Sequence, residues 1–474
     1  MTQLRARARR FWREYTRMRT AILFLIGLIA LVLVGSFVPQ QDTSAQTKVD
    51  DFLAGHHSLN ALGTTLGLPL TEVFVSPLFF ALLASLYIAL AACVLRRGRA
   101  LVVRTLRGHP RTPQYWGEWG SWLFHASFFV LLVAVCWGKA TGYQGIVTVT
   151  EGQRVTEARS DYDTIQEGLL FDGRHAGYQV QLNRFAATYQ ASGAPRDFVS
   201  NVTVFDRGRA VQTRDIRVNE FLGYRGVDFY QQDYGWSPRV VVRNPQGRVV
   251  YDGFLQFFGG MKNVQTGVLK VPDFGYTIPG GRAPVQLGAK LAIFPDARTT
   301  VPLAADGTLD TANPQYAPGG QEARNPVLQV QLYVGDLGLN SGRTQDVNGL
   351  DTARMTPYFA DAHAVPLPLR GSLPLVLPGP SGQPVTFSVA FPELRQYSLF
   401  LVKRDNGVPL VYLSFGTIMT GLMVKLYIKP AVESRLRRRR RGLPAAERGG
   451  GPNPAPEPER ELVSAGSDRD WSSQ

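Results

Sequence analysis

Cysteine is nearly absent from this chain: its 474 residues include only Cys93 and Cys136. No Cys-x-x-Cys pair and no Cys-x-x-Cys-His haem-attachment motif occurs. That excludes thiol exchange by this chain and excludes a c-type cytochrome. The two cysteines fall at opposite ends of two apolar runs, farther apart than the ~7 Å Cα separation a disulfide tolerates. Internal repeats are also missing, and with them the paired, Gly/Pro-broken halves of a secondary transporter. No self-contained catalytic motif is present.

Acidic residues are scarce where basic ones gather. The net charge is +14, but residues 1–20 hold seven Arg against Glu14, and loop 96–118 holds six Arg against Glu118. The segment 425–474 adds eleven Lys or Arg against seven Asp or Glu, so the remainder of the chain is close to neutral. A nucleic-acid-binding protein would cluster this charge on a folded surface. Here it flanks apolar runs on one side, which is the positive-inside pattern of a membrane protein. Nucleic acid is excluded as a partner, and membrane lipid is implied.

Four runs read as membrane spans: Ala21–Val38, Phe74–Leu95, Trp119–Gly138 and Val408–Ile428. About 20 residues at ~1.5 Å each cross a ~30 Å hydrocarbon core. The first run exceeds the ~7–15 residues of a signal-peptide core and is expected to remain as an anchor. The expected organisation is a basic cytoplasmic leader (1–20), three transmembrane helices with short loops (21–138), an extracytoplasmic domain (139–407), a fourth helix (408–428) and a basic, then disordered tail (429–474). Both termini are then cytoplasmic, in the plasma (inner) membrane of a bacterium.

Pro39 is expected to stop the first helix, and Asp51–Leu66 reads as an amphipathic piece in the loop 39–73. Trp116, Trp119 and Trp122 suit the membrane interface. Gly145–Gly152, Tyr178–Leu182, Val202–Phe205, Leu328–Val334 and Val385–Phe391 alternate with period two and predict strands. Asp206-Arg207-Gly208 and Asn244-Pro245-Gln246-Gly247 are hairpin signals. Between Gly259 and Asn325 the periodicity is poor and long loops are expected. The fold class is therefore a membrane protein of four transmembrane α-helices, three N-terminal and one C-terminal, with a large, mainly antiparallel β domain outside.

His125 is the one Asp, Glu, Lys, Arg or His in the third run. An imidazole in hydrocarbon faces a helix partner, a wet cavity or a metal. The residue alone leaves two readings open: a hydrogen bond between helices, or a cofactor ligand. His56, His57, His109, His175 and His363 show no local metal-ligand spacing. Asp405, just before the fourth run, is either a turn carboxylate or a group that orients a ligand or partner.

Five ordered blocks carry a family resemblance. They are the VGSFVPQ exit of the first run, Gly120–Gln153, Asp197–Gly235, Phe294–Ala297 with Asn325–Leu339, and Leu399–Val424. Over roughly residues 11–441 the chain resembles the ResB (CcsB) family of system II cytochrome c biogenesis proteins. The resemblance implies a subunit of a cytochrome c synthase. With a ResC/CcsA-type membrane partner it would hold and export haem and present it to apocytochrome c. A membrane-anchored, thioredoxin-like thiol reductant is a further implied partner. His125 aligns with the family's third-helix histidine, so the resemblance makes it an axial ligand to haem iron, about 9 Å into the bilayer from the cytoplasmic interface. The family's Asp-Pro-Gly before the last helix is here Asp405-Asn406-Gly407. The alternative is a cofactor-free membrane scaffold whose external β domain binds proteins. An export-dependent reporter fused after Gly152 is expected to be active; activity confined to the cytoplasm would overturn the charge argument.

Overall fold

The computed structural model describes residues 2–41, 46–65, 68–190, 195–259, 263–279, 285–300, 315–338, 349–359, 362–379 and 382–441. The tail expected beyond 441 lies outside the described residues. Two compact units emerge, one of residues 1–133 with 409–474 and the other of residues 134–408.

The first unit is helical. Its elements are α1 (Thr2–Tyr15), α2 (Met18–Phe37), α3 (Gln46–Gly55), α4 (His57–Thr65), α5 (Pro77–Leu106), α6 (Pro113–Thr141), α7 (Val408–Met423) and α8 (Lys429–Arg441). Among the described residues four helices are long and apolar enough to cross a membrane: Met18–Phe37, Pro77–Leu106, Pro113–Thr141 and Val408–Arg439. They match the four expected runs but are longer. The stretch 96–118, expected as a connector, is mostly helix, and only residues 107–112 link α5 to α6. Arg-rich turns continue a helix well once they reach water, since Arg is a strong helix former. α5 starts at Pro77, whose missing N–H is harmless at a first turn, and Ser76 caps it by accepting the Phe79 N–H at 3.2 Å. The VGSFVPQ exit has a structural use. Gln40, 4% exposed, donates to the carbonyls of Val38 and Leu70 and accepts the Val73 N–H.

Small residues and one tryptophan pack these helices. Trp122 lies over Gly98 and donates its indole N–H to the Val94 carbonyl at 2.9 Å. It braces α6 on α5, a duty beyond the interface role expected of it. α6 and α7 meet at paired glycines. A Cβ on Gly421 would sit 2.8 Å from both the Gly120 carbonyl and the Phe124 nitrogen. Close backbone approach of this kind drives helix association where no hydrophobic effect operates. α7 then passes through a π-helical turn, Val424–Ile428, before α8.

The second unit is β. Its strands are β1 (Tyr143–Thr150), β2 (Arg154–Thr156), β3 (Thr164–Glu167), β4 (Gln179–Tyr189), β5 (Pro195–Asp206) and β6 (Arg209–Ile216). β7 (Leu222–Tyr224), β8 (Val227–Arg243), β9 (Val249–Phe254), β10 (Gln265–Val271), β11 (Gln286–Phe294) and β12 (Ala297–Thr300) follow. The last are β13 (Gln315–Pro318), β14 (Val327–Gly335), β15 (Met355–Pro357), β16 (Val365–Pro368), β17 (Ser372–Pro378) and β18 (Pro384–Arg404). All paired strands are antiparallel. β10 to β13 occupy the stretch from Gly259 to Asn325 where long loops were expected. β11 pairs with both β10 and β14, so burial against neighbours outweighs its weak local pattern.

β8 and β18 form the spine of a sheet ordered β3-β1-β18-β8-β7, with β17 and β9 added at its far end. Two cores form along it. Val227, Phe229, Tyr234, Phe400 and Val402 pack with residues of β4, β5 and β6. Trp236, Val240, Val242, Phe387, Val389 and Phe391 pack with residues of β10, β11 and β14. Inward positions are odd at Phe387, Val389 and Phe391 but even at Phe400 and Val402. The change follows a bulge where Phe391-Pro392 opposes Val240 alone. Pro392 has no N–H to donate, and a bulge is where a strand tolerates that. The hairpin signals hold: Arg207 and Gly208 both adopt positive φ between β5 and β6, and Gly247 does so between β8 and β9.

Gly421→Leu forces a side chain into the α6 backbone. It is expected to destabilise the protein by about 1–3 kcal/mol, the usual range for overpacking, measured by thermal unfolding in detergent against Gly416→Leu, whose Cβ position is open.

Candidate functional site

His125 lies in α6, half-buried, with the Phe124 ring 5.5 Å away. Its Nδ1 is 2.6 Å from the Ser121 carbonyl, one helical turn back. A carbonyl only accepts, so Nδ1 is the donor and Nε2 is the ring nitrogen left over. Among the described residues Nε2 has no hydrogen-bond partner. A backbone carbonyl on one ring nitrogen is how proteins fix the tautomer and orientation of a metal-binding imidazole. The same bond satisfies the polar N–H within its own helix, so His125 bridges no two helices through Nδ1. Among the described residues no group of three His, Cys, Asp or Glu could hold a metal ion.

Asp405 lies in the turn between β18 and α7. Its Oδ1 accepts the Gly407 N–H at 2.9 Å and its Oδ2 pairs with Lys403 Nζ at 2.8 Å. This is the geometry of a turn carboxylate. Burial pushes the Asp405 carboxyl up; the Lys403 hydrogen bond, the Gly407 N–H and the Lys403 and Lys139 charges outweigh it, leaving it below the usual range. Gly138 makes room for it, since a Cβ there would collide with Asp405 Oδ1. Asn406, where the family commonly has Pro, donates its amide to the Thr141 carbonyl at 3.1 Å and to Thr141 Oγ1 at 3.2 Å. It caps the end of α6, which Pro could not do.

Sequence reasoning missed the most polar interior feature. Glu157 is 2% exposed. Its Oε1 accepts from Tyr143 at 2.5 Å and Tyr162 at 3.0 Å and faces His175 Nδ1 at 2.8 Å; its Oε2 accepts the Ala176 N–H. His175 Nε2 is 3.3 Å from Glu167, which pairs with Arg159. Burial and the Glu157 charge push the Tyr143 hydroxyl up, and Tyr162 with it, so both stay protonated donors. The carboxylate is fully satisfied, which is the condition for burying one at all. No sequence spacing announces it, because Tyr143, Glu157, Tyr162 and His175 come from different turns and strands.

The other histidines are scattered. His56 stacks on Phe52 and is exposed, His57 and His109 are exposed, and His363 lies by Phe359. In the block Asp197–Gly235 the side chains do structural work. Asn219 and Gly226 take positive φ in turns, Tyr224 donates to Asp206 at 2.9 Å, Gln231 accepts from Ser200 at 2.5 Å, and the Tyr230 ring packs on Phe221.

Fold and site together define a class: a four-helix membrane protein whose β domain is inserted between its third and fourth spans, with a single ligand-competent imidazole in the third. The ResB-like family model matches residues 18–115 and 112–431, and the chain belongs to that family. A cytochrome c biogenesis protein CcsB of Synechococcus sp. (strain JA-2-3B'a(2-13)) is 26% identical over 279 residues, 48% of this chain and 57% of that protein. The CcsB of Synechococcus sp. (strain JA-3-3Ab) is 23% identical over 317 residues, 66% of this chain and 50% of that protein. A chloroplast cytochrome c biogenesis protein of Oryza sativa subsp. japonica is 40% identical over 70 residues, 15% of this chain and 12% of that protein. The chain thus spans about half the length of the first two relatives.

Asp405→Asn keeps the Gly407 contact and loses the ion pair. Because the folded carboxyl titrates below its unfolded value, its stabilisation is complete above about pH 4–5 and lost as pH falls through the folded value. The variant is expected to be about 1 kcal/mol less stable at pH 7, with the difference shrinking as pH falls below the unfolded carboxyl value in pH-resolved thermal unfolding.

Proposed function

We propose that this protein is a subunit of a cytochrome c synthase that, with a ResC/CcsA-type membrane partner, holds haem in the membrane, carries it outward and presents it for attachment to apocytochrome c. The observation that supports this most directly is the state of His125: Nδ1 committed to Ser121, Nε2 bare, in an apolar helix beside Phe124 and one turn before Phe128. Haem is the cargo. Its iron takes neutral imidazole nitrogen, and its porphyrin suits an apolar surround. His125 supplies one axial position, and the second ligand comes from the partner.

The charge pattern favours both termini in the cytoplasm and His125 in the inner half of the bilayer, where haem arriving from inside is met first. The β domain then lies outside, where apocytochrome thiols are kept reduced by a thioredoxin-like partner. The chain binds and orients haem, and attachment belongs to the complex with its partner. The family membership and the names of the relatives both favour cytochrome c biogenesis over a cofactor-free scaffold.

The chain co-expressed with its partner and purified in detergent is expected to carry haem with a clear Soret band. His125→Ala is expected to lose most of that haem or shift the band, with restoration by added imidazole, which fills the vacated axial position. Unchanged haem content and spectrum in the variant would sink the ligand assignment and leave the scaffold reading.

A further inference from the structure

Two leucines in the β domain are exposed with no apparent structural reason. Leu169 is 95% exposed and Leu170 64% exposed, adjacent in the loop after β3. A frayed loop would explain such exposure, but this one is fixed on both sides. The Gly168 N–H donates to the Gly142 carbonyl at 2.9 Å and the Leu170 N–H to the Ala140 carbonyl at 2.7 Å. These are carbonyls at the C-terminal end of α6, which have no partner within their own helix. Gly168 makes the approach possible, because a Cβ there would run into the carbonyls of Lys139 and Ala140. Phe171, next in sequence, turns inward, its ring 5.1 Å from Tyr143 and 5.5 Å from His175. The buried Glu157–His175 cluster therefore holds the loop from behind while the helix end holds it from below.

The place of attachment decides what the leucines meet. On α6 the last exposed apolar residues are Val135 and Trp137, 48% and 49% exposed. Trp137 precedes Ala140 by three residues, about 4.5 Å along the helix. Tryptophan marks the headgroup level of a span, so Leu169 and Leu170 stand beside α6 within a turn of that level. We propose that this loop is a lipid-contacting foot. Leu169 and Leu170 seat in the outer interfacial layer of the bilayer beside α6, and the β domain is thereby set against the membrane at a second point besides its helix connections. Two apolar side chains presented from a rigid backbone at the interface gain burial without a further cost of ordering the loop. The inference rests on α6 being a membrane span.

The test uses the full chain with Cys93→Ser and Cys136→Ser, carrying a single cysteine labelled with an environment-sensitive fluorophore, in vesicles containing lipid with a shallow spin-label quencher. Leu169→Cys is expected to show blue-shifted emission and roughly twofold quenching, as an interfacial apolar group should. Val135→Cys reports the span itself, and Val211→Cys, on the exposed edge of β6, reports water. Adding Leu170→Glu to the Leu169 label is expected to reduce the quenching. Quenching at 135 without quenching at 169 overturns the foot and leaves the span intact. No quenching at either position overturns the span and the foot with it. A label at 169 shielded from lipid and from aqueous iodide only when the partner subunit is present assigns the leucines to a protein contact and likewise overturns the proposal.

Discussion

The antiparallel ladder that β1 makes with β18 is the constraint on which the rest of the protein depends. β1 begins one residue after α6 ends, and β18 ends three residues before α7 begins. Their register runs from Tyr143 opposite Arg404 to Thr150 opposite Tyr397. The strand leaving one span therefore zips onto the strand entering the next, over eight residue pairs. Closing so long an insertion costs chain entropy that grows only slowly with length, and the ladder offsets it at the one place where closure matters. The exit is locked at atomic detail by Asp405, Asn406 and Gly407 against Gly138, Thr141 and Ala134. No cysteine is needed for this closure, and none is used.

The same ladder organises the β domain. β18 continues past its contact with β1 to pair with β8 along most of its length, and both strands outrun either core. Two bulges let one spine serve two cores. At one of them Pro392 is accommodated; at the other Gln232 is the unpaired extra residue, between Gln231 and Asp233. Each bulge advances the inward-facing alternation by one residue, so the hydrophobic face is kept although the sequence parity changes. The core that receives β1 also contains the Glu157–His175 cluster, whose four donors make a buried carboxylate tolerable.

The ring of His125 is set by its own helix alone. Helical geometry brings the carbonyl four residues back within reach of Nδ1, and that single bond sets the tautomer. Among the described residues Nε2 has no hydrogen-bond partner. One such nitrogen cannot complete an axial pair, and that incompleteness is why the proposed function is a shared one.

The spans, their order and the β class of the inserted domain were legible in the sequence because each rests on local composition: apolar length for the helices, period two for β1, β4, β5, β14 and β18. His125 was legible as an oddity, a polar group in an apolar run. The strands β10 to β13 were not, since Gly and Pro blur their alternation and only pairing defines them, β10 and β11 in the sheet of β14 and β12 with β13. Glu157 and His175 were invisible because the partners that bury them are drawn from separated strands. The sequence by itself thus determined what each segment could bury. Only the tertiary structure decided which backbone nitrogen, carbonyl or carboxylate each segment would meet: the cap that Asn406 places on α6, the free Nε2 of His125, and the loop that holds Leu169 outward. Burial is a property of a segment's own side chains, whereas a hydrogen bond needs a partner that only folding can bring near.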